Sequence, residues 1–283
     1  MSYQITGKTR VCALFGDPVE HAMSPVMHNA AFQMLGLDYV YVPCRVKKED
    51  LGKAVAGARA MNFRGFNVTI PHKLAVIPLL DKLDPMAQKL GAVNTVVNDN
   101  GVLTGDNTDA TGFLQSLLEK GIEPEGKKIA ILGAGGSARA IAFILADRGA
   151  RLTVLNRHVE RAQELARDVG KNVKALPLDE ANLALVLRDS EVLINGTSVG
   201  MQKEEETPVP AGLLRRDLVV VDIVYNPIET RLLKDAKAAG AVTIDGVEML
   251  VWQGAQGFEK WTGQKAPVDL MRQEAIKALT HEK

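Results

Sequence analysis

Apolar runs and polar breaks alternate along the chain with the two periods of α/β structure. Arg10–Phe15 reads as a strand. Ser24-Pro25 then supplies an N-cap and a first helical residue, and the helix it opens runs to Leu35 and stops at Gly36. Asp38–Arg45 predicts the next strand, Glu49–Met61 a helix and Gly65–Thr69 a short strand. Asp84-Pro85 opens a further helix that Gly91 closes. Thr95–Val97 and Val102–Thr104 flank Asn98-Asp99-Asn100-Gly101, a strong hairpin signal. Together these elements predict an α/β block of about 105 residues.

Asp109–Lys120 reads as a connecting helix, with Asp109 able to serve as its cap. Beyond it, Lys127–Leu132 predicts a strand, Ala140–Arg148 a helix ended by Gly149, and Arg151–Leu155 a second strand, which completes a β-α-β unit. Strand Val173–Leu176, helix Ala181–Leu187, strands Glu191–Asn195 and Leu218–Ile223, helix Thr230–Ala239 and strand Ala241–Thr243 follow. That alternation predicts a doubly wound parallel sheet. Glu248–Trp261 and Val268–Leu279 read as helices that return to the first block. The expected fold class is therefore α/β: two α/β domains, the second a Rossmann-type doubly wound parallel sheet, with a cleft between them. The expected boundaries are 1–108 with 245–283, and 109–244. No repeat or low-complexity segment interrupts the pattern.

The connection between Lys127–Leu132 and the following helix names a ligand class. Gly133-Ala134-Gly135-Gly136-Ser137-Ala138 fits G-x-G-x-x-A. Gly133 permits the tight turn, Gly135 lets the backbone approach a pyrophosphate, and Ala138 lets helix and strand pack closely. The pyrophosphate would sit on the helix N-terminus, where the dipole favours negative charge. A site for NAD usually carries Asp or Glu about 20 residues past the first glycine. This chain has Asn156-Arg157-His158-Val159-Glu160-Arg161 there, with no carboxylate at the strand end and two arginines four apart. A guanidinium pair suits a 2′-phosphate, which points to NADP(H); the plainer alternative is two ordinary surface arginines.

Composition narrows the remaining classes. The 283 residues are 46% hydrophobic and 24% charged, and 34 Lys+Arg balance 34 Asp+Glu to a net charge of zero. Neither a nucleic-acid footprint nor a polybasic membrane patch is expected from that balance. No uncharged apolar stretch approaches the length of a membrane span, and Met1–Arg10 lacks the apolar core of a signal peptide, so a cytoplasmic location is expected. Cys12 and Cys44 fall in strand-like runs without metal spacing and read as buried thiols in a reducing compartment; the five histidines are scattered, and no metal is expected. The partner expected is a small molecule, and a homodimer is left open.

Three polar loops stand where a fold alone does not need them: Asn67-Val68-Thr69-Ile70-Pro71-His72-Lys73, Gly91-Ala92-Val93-Asn94-Thr95 and Gly105-Asp106-Asn107-Thr108-Asp109. All lie at strand ends or loop mouths, where sheet-based sites are built. Each polar residue taken singly reads as a cap or turn. Together with Ser24-Pro25…His28-Asn29, Asn195-Gly196-Thr197-Ser198-Val199-Gly200-Met201, Asp222-x-x-Tyr225 and Glu248-Met249-Leu250-Val251-x-Gln253, the chain resembles the shikimate dehydrogenases over nearly its whole length. The resemblance implies NADP-dependent reduction of 3-dehydroshikimate to shikimate, in aromatic amino-acid biosynthesis. It assigns Lys73 as the catalytic lysine with Asp109 as its partner. It assigns Thr69, Asn94 and Gln253 to substrate hydroxyls, Ser24 to the substrate carboxylate and Tyr225 to the substrate's surroundings. Gly133, Ala134, Gly135, Gly136, Ser137, Ala138, Asn156, Arg157, Arg161 and Thr197 match the cofactor site.

One departure stands out. The family's carboxylate-binding motif commonly reads Ser-x-Ser-Pro, and this chain reads Ala22-Met23-Ser24-Pro25, so one of two hydroxyls is missing. His21 and His28 flank that loop and read as structural; His158 stands where the family often has a small hydroxyl residue and reads as exposed. Two other readings compete: an NAD-preferring quinate/shikimate dehydrogenase, against which Arg157 and Arg161 argue, and a catalytically silent nucleotide sensor, against which the retained Lys73 and Asp109 argue.

Overall fold

The computed structural model describes residues 5–201 and 203–281. The first four residues of the N-terminal stretch read above for a leader lie outside them. The chain divides into two compact units, one running through Thr108 and resuming at Val251, the other spanning Asp109–Leu250.

The first unit is built on β1 (Arg10–Gly16), α1 (Ser24–Met34), β2 (Tyr39–Arg45), α2 (Leu51–Ala60), β3 (Gly65–Val68), β4 (Lys82–Leu83), α3 (Pro85–Leu90), β5 (Thr95–Asp99) and β6 (Val102–Asp106). Its sheet runs β2-β1-β3-β5-β6-β4 and is mixed: β1 pairs in parallel with β2 and β3, β5 is antiparallel to β3 and β6, and β4 is parallel to β6. The β5–β6 hairpin forms where the sequence places it. Asp99 pairs with Val102, and Asn100 and Gly101 both take positive φ, 52° and 91°, as the two central residues of a tight hairpin turn should. Asp84 caps α3 by accepting from the Met86 N–H at 2.9 Å, and Gly91 closes that helix in the left-handed region.

Ser24 departs from its expected place. It is the first helical residue rather than the N-cap; Met23 precedes it and makes no side-chain cap bond. Pro25 still fits the first turn, where its missing N–H costs nothing. Strand β4 was not expected, because two residues carry no alternation to read.

One face of this sheet covers an aliphatic core in which Phe15 and Phe66 stack at 4.7 Å with Val55, Val96 and Leu103. The other side is aromatic. Phe32 of α1, Tyr41 of β2, and Phe258 and Trp261 of α9 (Gly246–Thr262) surround His28, whose ring lies 4.5 Å from that of Tyr41. Trp261 Nε1 donates to the Val96 carbonyl at 3.0 Å. Gly65 makes this approach feasible, since a Cβ there would stand 2.3 Å from that indole nitrogen. The final helix, α10 (Val268–His281), packs on α1.

The second unit opens within α4 (Thr108–Glu119) and continues through β7 (Lys128–Leu132), α5 (Gly136–Asp147), β8 (Arg151–Asn156), α6 (Val159–Val169), β9 (Val173–Pro177), α7 (Glu180–Leu187), β10 (Val192–Asn195), β11 (Val219–Asp222), α8 (Arg231–Ala238) and β12 (Val242–Ile244). Its sheet is parallel throughout, in the order β12-β11-β10-β7-β8-β9. Strand order reverses between β7 and β10, the position where such sheets bind ligands outside their carboxyl ends. Asp179 caps α7 and Thr230 caps α8. Asp109 does not cap α4, because the helix already begins at Thr108. Cys12 is buried and Cys44 is only half-buried, so the expectation of two buried thiols holds for one. No helix among the described residues is long and apolar enough to cross a membrane.

Candidate active site

The polar residues of the first unit form one continuous buried chain. Ser24 bonds to the Tyr41 phenol, and Tyr41 Oη donates to Asn67 Oδ1 at 2.7 Å. Asn67 Nδ2 donates to Thr95 Oγ1 at 2.9 Å and to the Asn94 carbonyl at 3.1 Å. Thr95 Oγ1 donates to Asn94 Oδ1 at 3.0 Å, and the same Asn94 oxygen accepts from the Thr108 N–H at 2.7 Å. Asn94 Nδ2 completes the loop by donating to Thr108 Oγ1 at 3.1 Å. Every member is neutral, and burial pushes the Tyr41 phenol well above its ordinary range, so it stays so. The chain joins the ends of β3, β5 and β6 and stops one residue short of Asp109.

Lys73 is placed by the loop after β3. His72 is fully buried, with Nε2 2.7 Å from the Val46 carbonyl, and its N–H donates to the Thr69 carbonyl at 2.7 Å. The Lys73 carbonyl accepts from the Val93 N–H at 2.8 Å. The lysine backbone is thus held beside the segment that runs through Val93 and Asn94 into β5, while the residue is half-buried. Thr69 stands across from β1: its N–H donates to the Phe15 carbonyl at 2.9 Å, and its methyl fills the space a Gly16 side chain would need. Gln253 lies one turn before Gly257 on α9, the residue that backs against Asn67 and Thr95. Ser24, Thr69, Lys73, Asn94 and Gln253 all belong to this unit. Asp109 and Tyr225 belong to the other.

In the second unit the glycine turn sits at the β7 end of the switch point. Gly133 has φ of +100°, and a Cβ on it would stand 3.0 Å from the Gly196 carbonyl and 3.1 Å from the Thr197 methyl. Its role is as much to admit the β10 loop as to turn the chain. Gly135 and Gly136 are exposed, and a Cβ on either would meet nothing of the protein within 4 Å. They leave the start of α5 open to a ligand, with Ala134 and Ser137 half-buried beside them and Ala138 buried beneath. At the end of β8, Asn156 Nδ2 donates to the His158 carbonyl at 2.8 Å and shapes the start of α6. Arg157 and Arg161 are exposed and form no ion pair among the described residues. An open helix start, no carboxylate at the β8 end and two uncommitted guanidinium groups fit NADP(H).

Sequence reasoning missed Tyr41, whose phenol links Ser24 to Asn67. The alternation of β2, with Tyr39 and Tyr41 turned inward, carried that signal. It also left Asn195 and Asp222 without individual roles, although both are fully buried strand-end polar residues.

Comparison with known proteins matches three family models in order: "Shikimate dehydrogenase substrate binding domain" over residues 14–96, "Shikimate / quinate 5-dehydrogenase" over 116–249, and "Shikimate 5'-dehydrogenase C-terminal domain" over 246–276. A protein of Methanosarcina acetivorans named "Shikimate dehydrogenase (NADP(+))" is 49% identical over 278 residues, 95% of this chain and 99% of its own. The structure of shikimate 5-dehydrogenase from Listeria monocytogenes with shikimate and NAD superposes with a TM-score of 0.91 at 43% identity, covering 96% of this chain and 98% of that one. A shikimate dehydrogenase solved with NADP+ superposes equally well, with a TM-score of 0.91, 43% identity and 97% of each chain covered.

Proposed function

The chain belongs to the shikimate dehydrogenase family, and from that premise we propose that it catalyses the reversible reduction of 3-dehydroshikimate to shikimate with NADPH. NADPH, when bound, supplies a hydride to the ketone carbon. The residues of the chain do the rest. Lys73 gives a proton to the oxygen on which negative charge develops, and takes it back in the reverse direction. Asp109 is its acid–base partner. General acid help of this kind contributes about 10²–10⁴-fold.

Ser24 binds the substrate carboxylate, Thr69, Asn94 and Gln253 bind its hydroxyls, and Tyr225 stands beside it. Neutral hydroxyl and amide groups suit a polyol, because each can donate and accept without a buried charge. They also discriminate, since a ligand lacking a hydroxyl leaves a desolvated polar group unpaired. Gly135, Gly136 and the start of α5 receive the pyrophosphate, with Thr197 alongside; Arg157 and Arg161 take the 2′-phosphate. The enzyme works in the cytoplasm on soluble metabolites.

The observation that carries this reading is the buried hydrogen-bonded chain from Ser24 to Thr108, which prepares a neutral polar surface next to Lys73 and leads directly into Asp109. The test is absorbance of reduced cofactor with purified protein. Oxidation of NADPH on 3-dehydroshikimate, well ahead of NADH, is the expected result. Turnover of quinate with NAD+ in preference, or no turnover of any of these, overturns it.

A further inference from the structure

One fully buried carboxylate has no part in the chemistry above. Asp222 ends β11 directly opposite Asn195, which ends β10. Asn195 Nδ2 donates to Asp222 Oδ1 at 2.9 Å. The same oxygen accepts from the Val224 N–H at 3.0 Å, and Asp222 Oδ2 accepts from Thr230 Oγ1 at 2.7 Å. No cation is among these partners, and burial pushes the Asp222 carboxyl up to about 6. A carboxylate buried without a counter-charge costs free energy, so its retention calls for a return elsewhere.

The geometry shows where. Asn195 Oδ1 accepts from the Thr197 N–H at 3.1 Å and from Thr197 Oγ1 at 2.7 Å, and Thr197 Oγ1 in turn accepts from the Val199 N–H at 3.1 Å. The β10 loop is thereby wound around Asn195. The Val224 N–H fixes the first turn after β11, immediately before Tyr225, and Thr230 closes the far end of that loop while capping α8. The Ile223 N–H also donates to the Asn195 carbonyl at 3.2 Å. Gly200, at φ of +93°, lies with a prospective Cβ 3.6 Å from the Thr230 side chain, so the two loops meet again at their far ends. Both loops spring from the carboxyl ends of neighbouring strands, β10 at the switch point and β11 beside it.

We propose that Asp222 is a positioning residue for the reaction: paired with Asn195 and Thr230, it locks the β10 and β11 loops so that Thr197 meets the cofactor and Tyr225 the substrate. This rests on the reading of Thr197 and Tyr225 given above. A carboxylate suits the task because it accepts several hydrogen bonds at once and donates none, so donors from three segments converge on two oxygens. Neutral Asn at 222 replaces one acceptor by a donor and breaks that convergence without changing volume.

The test compares Asp222→Asn and Thr230→Val with the direct variants Thr197→Val and Tyr225→Phe. A core variant, Val220→Ala, is matched for loss of thermal stability. NADPH affinity is read by fluorescence, and kcat and KM for shikimate by steady-state assay. The expected result is that Asp222→Asn shows both direct defects at once, about tenfold in NADPH Kd and about tenfold in shikimate KM, with a smaller fall in kcat. Thr230→Val, which keeps the carboxylate but loses the hydroxyl's bond to it together with the α8 cap, shows about threefold, and Val220→Ala leaves both affinities unchanged. Normal affinities in Asp222→Asn alongside weakened Thr197→Val and Tyr225→Phe overturn the lock while sparing the site. Normal affinities in the two direct variants overturn the site reading and the lock with it. If Asp222→Asn does not fold, Thr230→Val decides: no change in either affinity overturns the proposal.

Discussion

The two units handle buried polarity in opposite ways. In the first, the Ser24–Tyr41–Asn67–Thr95–Asn94–Thr108 chain is neutral from end to end, and its members satisfy one another. In the second, polar burial centres on the charge of Asp222, which three segments surround with donors. The difference follows from what each must present. A substrate with several hydroxyls is matched by groups that both donate and accept, and a neutral network holds these at low desolvation cost. A dinucleotide is gripped largely by backbone and by surface cations, so the second unit needs loops of fixed shape more than it needs polar side chains inside.

The sharpest break in that comparison is at Lys73, a charged residue beside the neutral network. Lys73→Ala should lower kcat by roughly 10²-fold or more with a smaller change in KM, because the general acid proposed there would act mainly on the transition state. Asp109→Asn should lower kcat less. Near-normal turnover by a folded Lys73→Ala protein in steady-state assays removes the acid–base role.

The contrast also predicts opposite responses to pH. His28 is fully buried among aromatic rings with both ring nitrogens unpaired, and burial pushes its pKa down to about 3. Its unfolded form titrates near 6.5, so the unfolded chain gains a proton that the folded one refuses. The first unit is then at full strength above about 6.5 and loses stability as pH falls, by about 2 kcal/mol at pH 5. Asp222 is raised instead, to about 6, so its contribution is complete below about 4 and is lost as pH rises through 6, in all about 3 kcal/mol. Calorimetry across pH 4 to 7 should show His28→Phe relieving the acid-side loss and Asp222→Asn flattening the loss between 4 and 6. The same slope in both variants as in wild type would remove the distinction.

Cofactor choice tests the open side of the second unit. Arg157→Ala should weaken NADP(H) by about 1.5–3 kcal/mol and leave NAD(H) nearly unchanged, since only the former carries a 2′-phosphate. Titration of both cofactors decides it. An equal loss for the two assigns Arg157 to the fold or the pyrophosphate.

How much of this was legible in the sequence depended on range. The β-α-β unit, the Asn100-Gly101 turn and the Asp84 cap were readable because each is set by residues within a few positions of one another. Ser24-Pro25 is a helix-start signal that points to a cap, but the helix begins on Ser24, and its hydroxyl is engaged by Tyr41 from a neighbouring strand. The glycine motif explains Gly133 by its tight turn, whereas the tightest neighbours of a Cβ there are Gly196 and Thr197, which the sheet brings beside it. The convergence of Asn195, Asp222 and Thr230 is likewise a product of strand register, and no local pattern announces it.

The smallest effect concerns the Ser24 end of the neutral chain, proposed to meet the substrate carboxylate, where Ala22 stands in place of a serine common in the family. Ser24 has one proton, and its bond to Tyr41 already uses the hydroxyl. To donate to a substrate carboxylate it must turn away, which Tyr41 tolerates because its own proton remains on Asn67. Ser24→Ala therefore removes the motif's one hydroxyl, and a lost bond to a charged group costs roughly 1.5–3 kcal/mol, so kcat/KM for shikimate should fall about ten- to a hundredfold. Ala22→Ser adds a hydroxyl on a half-buried position whose N–H is already tied to the Val19 carbonyl at 3.1 Å, so the backbone there is fixed before the ligand arrives. It should lower KM for shikimate modestly, within about tenfold, and leave kcat nearly unchanged, because carboxylate binding is alike in ground and transition states. A rise in KM would show that Met23 or a bridging water occupies the space the second hydroxyl needs. An unaffected Ser24→Ala would show that this loop does not hold the carboxylate, and that the neutral chain ends at Tyr41 rather than at the ligand.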